Sequence, residues 1–499
     1  MPSRASWADA LAESKRLLGF ALPACGEKVL SRLLTVISIS FVGHVCPPGT
    51  SLAGCALANT IGNVLGNSIC VGLSGAITTL AAQASGAKDY KATSVTLQTG
   101  ALVLGATCAI LSLVWLRIGS LLLLAGQDAG VALAAQRYLL CLIPGLWGFG
   151  AMQVINSWLQ AQRLMRPAVY AAVVAIPVSV SLHILLMVKP LQLGFLGAAL
   201  ATSMTLCVQT GVMGAFLVQS AAFKRAWTGW DLRATLAHLN DYLGLALPSL
   251  GMLAEWWSSE ANILLGGVLR PAMCASPWMC HPEVAVAGMS IYQTTNAVCF
   301  MLPLGVAIAA GTRVGNELGA GEGGAAQLAA RCSLILALAV SGTMGLAIFF
   351  GRATLPALFT DDAAVEPLVS RLYMLLAAYV VLDGLAASAS GSVRGAGIQH
   401  IAARLVLVGY YVFGLPIGAA LAFKLKLGPM GLVTGALCGK LIHTLGMIFL
   451  VLVHTDFDAC AAKASLRYAA PAKDVELAVP KPAAKPARRE AEEEEEEEE

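Results

Sequence analysis

Residues 243–267 read LGLALPSLGMLAEWWSSEANILLGG. The stretch is long and apolar enough to cross a bilayer as a helix, for which about 20 residues suffice. Yet it carries Glu255 and Glu260. A carboxylate at the membrane midplane costs roughly 2.5–3.5 kcal/mol on insertion scales, so it is expected to face a cavity and to have a function. A carboxylate held there takes either a proton or a cation, and that competition is the physical basis of antiport. Trp256 and Trp257 could give the cavity a flat, electron-rich wall suited to an organic cation. Glu260 lies about 140° around the helix from Glu255 and cannot share its face. A pairing with a neighbouring helix and a direct role both stay open for it.

The rest of the chain is of the same kind. Of 499 residues, 57% are hydrophobic and 12% charged, about half the charge of a soluble domain. That composition, in long apolar runs, predicts an all-α polytopic membrane protein. Twelve spans are expected, at about 17–42, 52–82, 97–116, 132–159, 168–188, 194–218, 241–267, 284–312, 331–350, 366–389, 402–423 and 428–453. The polar start runs into an apolar segment too long for a signal-peptide core. With the N terminus inside, thirteen Lys and Arg near the span ends fall on the cytoplasmic side and seven on the other. Both termini are therefore expected to be cytoplasmic.

The two halves echo each other. Leu-Gly occurs at 193–194 and 427–428, with Gly197 matched by Gly431. QASGA ends at Ala87 and NELGA at Ala320, and ALP recurs at 21–23 and 246–248. Six spans per half is an even number, so the repeats are parallel and related by an axis along the membrane normal. The expected division is an N-terminal segment (1–16), an N-lobe (17–218), an amphipathic cytoplasmic linker (219–240), a C-lobe (241–457) and a disordered acidic tail (458–499). Two such lobes imply a cleft near the midplane and alternating access by rocking. The tail ends in eight glutamates, Glu492 to Glu499.

Several other polar residues stand out. Asn59, Asn63 and Asn67 repeat every four residues on one face of the second span. They could line an N-lobe cavity opposite Gln153 and Asn156, or form interhelical hydrogen bonds. Glu27, Lys28 and Arg32 interrupt the first span; a local Glu27–Arg32 pair is the favoured reading. Facing the cleft, they would instead alter the preferred substrate charge. His183, Lys440 and His443 are isolated intramembrane ionisable residues, for which structural roles are expected. Cys274 and Cys280 flank a polar loop; a disulfide and two free thiols are both open. The other cysteines show no metal-ligand spacing.

Together, ALPA (21–24), FVGH (41–44), QASGA (83–87), AEWWSSE (254–260), RVGNELGAG (313–321), SVRGAGIQ (392–399) and YYVFGLPIG (410–418) resemble the multidrug and toxin extrusion (MATE) family, eukaryotic branch. The resemblance covers nearly everything from Leu17 to His454. It implies an antiporter exporting organic cations or metabolites against protons, sodium being the less favoured ion, with no bound cofactor or metal. It maps functional glutamates onto Glu255 and Glu260. Beside Tyr292, Gln293 stands where animal members have glutamate, and Asp383 where they have glutamate in the tenth span. Ser38 falls near the aspartate of bacterial members. Glu255 is the expected exchanger, Asp383 its partner and Gln293 a neutral wall. A carboxylate or flavonoid-type anion exporter and a lipid-linked precursor flippase are the alternatives. The chain carries no HExxH, no GxSxG with a plausible His partner and no P-loop, so an enzyme is not expected. The expected partners are a small-molecule substrate and the lipid bilayer, not nucleic acid. The expected form is a monomer in the plasma or vacuolar membrane.

Overall fold

The computed structural model describes residues 7–45, 49–188 and 190–468. The poly-Glu stretch lies outside the described residues. Among the described residues, eleven helices are long and apolar enough to span a membrane. They are Trp7–Val45, Thr50–Gly86, Tyr90–Leu116, Ala129–Ala161, Arg166–Val188, Phe195–Gln219, Pro282–Gly319, Gly323–Gly351, Val365–Ala396, Gln399–Lys424 and Pro429–His454. The seventh span is two shorter helices, Leu239–Gly251 and Ala254–Val268. Pro248 lies within the first. A proline in mid-helix removes a hydrogen bond and clashes with the preceding turn. The chain breaks at Met252 and Leu253, so Glu255 begins the second half-helix.

The repeat is visible in the backbone. Gly194 and Gly428, each at the start of its half's last span, have φ 57 ψ −135 and φ 57 ψ −133. Only glycine takes that conformation freely. Gly86 and Gly319 form a second pair. A Cβ on Gly86 would overlap the Asn316 carbonyl, and one on Gly319 the Gln83 carbonyl. The two QASGA-like ends thus press against each other across the pseudo-two-fold axis.

Two spans change lobes. The first packs Leu17 and Ala21 against Val306 and Ala309 of the C-lobe, and its later half against the fifth span. The seventh begins on the second span, where the Tyr242 hydroxyl donates to the Leu73 carbonyl at 2.9 Å. Its second half packs on the eighth and twelfth spans. Small residues bring the eleventh and twelfth spans close: a Cβ on Gly439 would lie 2.6 Å from the Gly409 carbonyl.

The end of the molecule carrying Trp7 and Tyr468, the first and last described residues, is closed. Gln83 donates to the Gly395 carbonyl (3.0 Å), Thr79 to that of Arg394 (2.7 Å) and Asn316 to that of Ala161 (3.1 Å). Arg313 grips Glu13 in two hydrogen bonds of 2.7 and 2.8 Å and pairs with Glu317 at 2.6 Å. Both Glu13 and Arg313 are about 5% exposed or less.

Two boundaries differ from the sequence reading. The first helix already begins at Trp7, inside segment 1–16. The tail is not irregular from residue 458: Phe457–Tyr468 is a helix burying Phe457, Ala461 and Ala464. Arg467 donates to the Gln83 side chain at 3.2 Å and Tyr468 to the Leu80 carbonyl at 3.0 Å. Its apolar stripe was too short and too alanine-rich to register as a buried face. Cys274 and Cys280 form a disulfide.

Removing Arg313 strands a buried carboxylate, a loss of about 3–5 kcal/mol. Arg313→Gln is expected to lower the apparent Tm of the detergent-solubilised protein by several degrees, and Glu13→Gln added to it to recover much of the loss. Equal melting of Arg313→Gln and wild type would show that the pair contributes nothing to stability.

Candidate functional site

The C-lobe charges converge on a residue for which a structural role was expected. Lys440 of the twelfth span is 1% exposed. Its Nζ donates to Glu255 Oε1 at 2.5 Å and also to Asp383 Oδ1. Glu255 comes from the broken seventh span and Asp383 from the tenth, so one ammonium ties three spans. Asp383 is 5% exposed. His443, one turn from Lys440, lies 3.8 Å from Glu255 Oε2. Tyr379 and Tyr410 present their rings to the ammonium at 5.4 and 5.9 Å, a favourable cation–π arrangement.

Local structure holds these groups in place. Tyr411 donates to the Ala254 carbonyl at 2.9 Å, pinning the chain beside Glu255. Thr444 donates to the Leu382 carbonyl at 3.1 Å, one residue from Asp383. Tyr410 sits in a π-helical stretch, Leu407–Gly414; such bulges re-aim side chains and recur at functional sites. Tyr292 and Gln293 line a small adjoining cavity of about 330 Å³, open mouth included, with Ser259, Asn262 and Tyr379. Glu260 is not part of this assembly. It is exposed, with neither ion pair nor hydrogen bond among the described residues. Its position on the opposite face of the helix places it away from Lys440.

A second, larger cavity of about 2230 Å³, open mouth included, lies between the lobes. Asn59, Asn63, Asn67, Gln153 and Asn156 all line it. Asn63 to Asn67 is a π-helical turn, with Asn67 donating to Asn63 at 3.1 Å. Trp256 lines the cavity too, whereas Trp257 packs beside Tyr410 and Val406. The two tryptophans thus divide between cavity and neighbour. Ser38 lines the cavity and contacts Thr202 at 3.2 Å.

The favoured Glu27–Arg32 pair does not form. Glu27 instead pairs with Lys28 at 2.9 Å and accepts from Ser31 at 3.1 Å. Arg32 lines the cavity with its Nε buried and unpartnered. Arg32, five residues on, lies about 140° around the helix from Glu27, whereas Ser31, at i+4, lies on its face.

The MatE family profile matches residues 23–185 and 273–420. Protein DETOXIFICATION 13 of Arabidopsis thaliana is 35% identical over 464 residues, 92% of each chain. The chain belongs to the MATE family. Protein DETOXIFICATION 12, also from Arabidopsis thaliana, is 34% identical over 92% of each chain. The crystal structure of the eukaryotic MATE transporter AtDTX14 superposes with a TM-score of 0.84 at 32% identity. That match covers 92% of this chain and 99% of that one. The MATE fold, twelve helices in two lobes, is thus shared, and this chain is an integral, multi-pass membrane transporter that binds small molecules and not an enzyme.

Sequence reasoning missed Lys440, although a signal existed. A lone lysine within an apolar span needs a buried counter-charge, and Glu255 and Asp383 were already in hand. Lys440→Met strands two carboxylates close together and is expected to lower thermal stability markedly. Adding Glu255→Gln and Asp383→Asn to it should restore most of the loss. A Lys440→Met protein melting like wild type would mean the cluster carries no stabilising charge.

Proposed function

We propose that the protein is a proton-coupled antiporter that exports small organic molecules, with Glu255, Asp383 and Lys440 as its proton site. The observation that carries this reading is the single ammonium shared by two buried carboxylates from different spans. Two carboxylates against one ammonium leave one negative charge in the cluster, which one proton cancels. Protonating Glu255 releases its bond to Lys440 and with it the tie between the seventh and twelfth spans. Protonating Asp383 releases the tenth. The break at Met252 and Leu253 lets the second half of the seventh span move without unwinding the first. His443, Tyr292, Tyr379 and Tyr410 also face the cluster and would sense the same change. Each unit of pH difference supplies about 1.4 kcal/mol per proton.

The coupling ion is a proton and not sodium on this reading. The space between the carboxylates is already filled by a cation, so sodium would have to displace a tethered ammonium. A proton needs only one oxygen. The closed end carrying Trp7 and Tyr468 is the cytoplasmic one, as the distribution of Lys and Arg favours, and the cavity faces the opposite side. The disulfide-bearing loop at Cys274 and Cys280 suits that oxidising side, whether of the plasma membrane or the vacuolar membrane. The organic-cation reading of the cargo draws on Glu255, on the tryptophan wall and on the family resemblance, but Lys440 already engages that carboxylate. The charge of the cargo is therefore set by the cavity and not by the cluster.

The test is dye uptake into proteoliposomes under an imposed pH gradient, run in parallel with rhodamine 123 (cationic) and sulforhodamine B (anionic). Wild type is expected to accumulate at least one dye. Glu255→Gln and Asp383→Asn should each fall to the leak rate of empty liposomes. Uptake driven equally well by sodium alone, or unchanged in both variants, would sink the proposal.

A further inference from the structure

The interlobe cavity contains charges that the proton site does not use. Four charged side chains line it: Glu27, Lys28, Arg32 and Arg394. The acidic one is spent, since Glu27 is 3% exposed and held by Lys28 and Ser31. Among the described residues, neither the Arg32 nor the Arg394 guanidinium has an acidic partner. The unpaired charges facing the cavity are therefore both positive, one from each lobe. Arg32 projects from the first span beyond its crossing to the N-lobe. Arg394 lies at the closed end, where its carbonyl accepts from Thr79.

An unpaired guanidinium inside a membrane protein is costly to maintain unless a ligand or water compensates it. Low-dielectric walls focus its field into the cavity and raise the local concentration of anions. The walls also carry apolar surface, including Trp115, Leu146, Phe149, Met152 and Trp256. Drug-sized ligand pockets run to about 300–1,000 Å³, so this cavity has room for a multi-ring molecule. A cationic cargo would find no free carboxylate here, because Glu27 is paired and Glu255 and Asp383 are engaged by Lys440.

We propose that the cavity binds amphipathic organic anions, an aromatic or otherwise apolar body bearing a carboxylate, sulfonate or phosphate. Arg32 is the anion contact, and Arg394 makes the floor of the cavity positive. The asparagines at 59, 63 and 67 supply neutral hydrogen bonds to the rest of the cargo, and Trp256 packs on its ring system. The proposal rests on the export reading above for its physiological sense, but the binding site itself does not require proton coupling.

The test is equilibrium binding to the purified full-length protein in detergent, without any gradient. Fluorescence anisotropy follows sulforhodamine B and rhodamine 123, two xanthene dyes of opposite charge, with empty micelles subtracted. Wild type should bind sulforhodamine B at least about tenfold more tightly than rhodamine 123. Arg32→Gln should weaken the anionic dye by roughly tenfold, the range of a lost charged hydrogen bond, and leave the cationic dye unchanged or improved. Arg32→Lys should retain most of the preference, which separates lost charge from lost folding. Equal or tighter binding of rhodamine 123 by wild type overturns the proposal without any variant. So does an anion affinity that Arg32→Gln leaves untouched. Displacement of sulforhodamine B by phosphatidylglycerol but not by naphthalene sulfonate would also overturn it, in favour of a lipid cargo. If the pH-gradient experiment fails while this binding holds, the coupling reading falls and the anion site stands.

Discussion

A lysine ammonium with 1% exposure is tolerable in a membrane protein only because two carboxylates meet it. That requirement fixes much else. It brings the seventh, tenth and twelfth spans together, because each contributes one charge. It demands close helix approach, which glycines at 409 and 439 permit. It leaves Tyr379 and Tyr410 as the ring walls around the charge. A buried ion cluster of this kind is weak evidence for stability, since apolar replacements often do as well. On the proposed reading, what it offers is discrete alternatives: a proton on Glu255 or Asp383 would change which spans Lys440 ties.

The two spans that cross between lobes share a design. Each has an ALP triplet, at 21–23 and 246–248, and each carries its charges within the next few turns. In the first span these are Glu27, Lys28 and Arg32; in the seventh, Glu255 and Glu260. The first span runs through Pro23 as one helix, whereas the seventh is interrupted four residues after Pro248. Charged groups follow where irregular or bordering backbone gives them a cavity to face. Gene duplication would produce the shared geometry, while the different charges give the lobes different tasks. The C-lobe encloses its charges around Lys440. The N-lobe leaves Arg32 open to the cavity.

Most of the fold was legible because bilayer thickness and repeated glycines leave few choices. Gly194 and Gly428 showed up as a matched dipeptide in the sequence, and the structure gives them nearly the same backbone angles. The asparagine stripe was legible for a similar reason: spacing alone puts 59, 63 and 67 on one face. Pairings were less legible. Helical spacing in fact disfavours the Glu27–Arg32 pair, since five residues turn about 140°, and the pairing with the neighbouring Lys28 is set by side-chain reach within the burial of Glu27. Lys440 was harder still. Its partners lie 57 and 185 residues away, and a one-dimensional pattern carries no information on which helices touch. Charge balance within the membrane was the unused constraint. The helix at Phe457–Tyr468 escaped because its buried face is mostly alanine.

The closed end of the molecule has one further property. Its lobe-to-lobe hydrogen bonds mostly end on main-chain carbonyls, those of Ala161, Arg394 and Gly395. Nearby, the glycines at 86 and 319 let the two lobes' backbones meet at Asn316 and Gln83 with no side chain between them. The acceptors are therefore present whatever residue occupies those positions. Selection acts on the donors and on the absence of bulk, not on the acceptor identities. Separating the lobes here uncovers bare peptide groups at the membrane–water boundary, and water must solvate them as fast as they part. If transport proceeds by the proposed rocking of the lobes, its rate is tied to how readily that seam wets, a property of the polypeptide chain itself and not of the cargo.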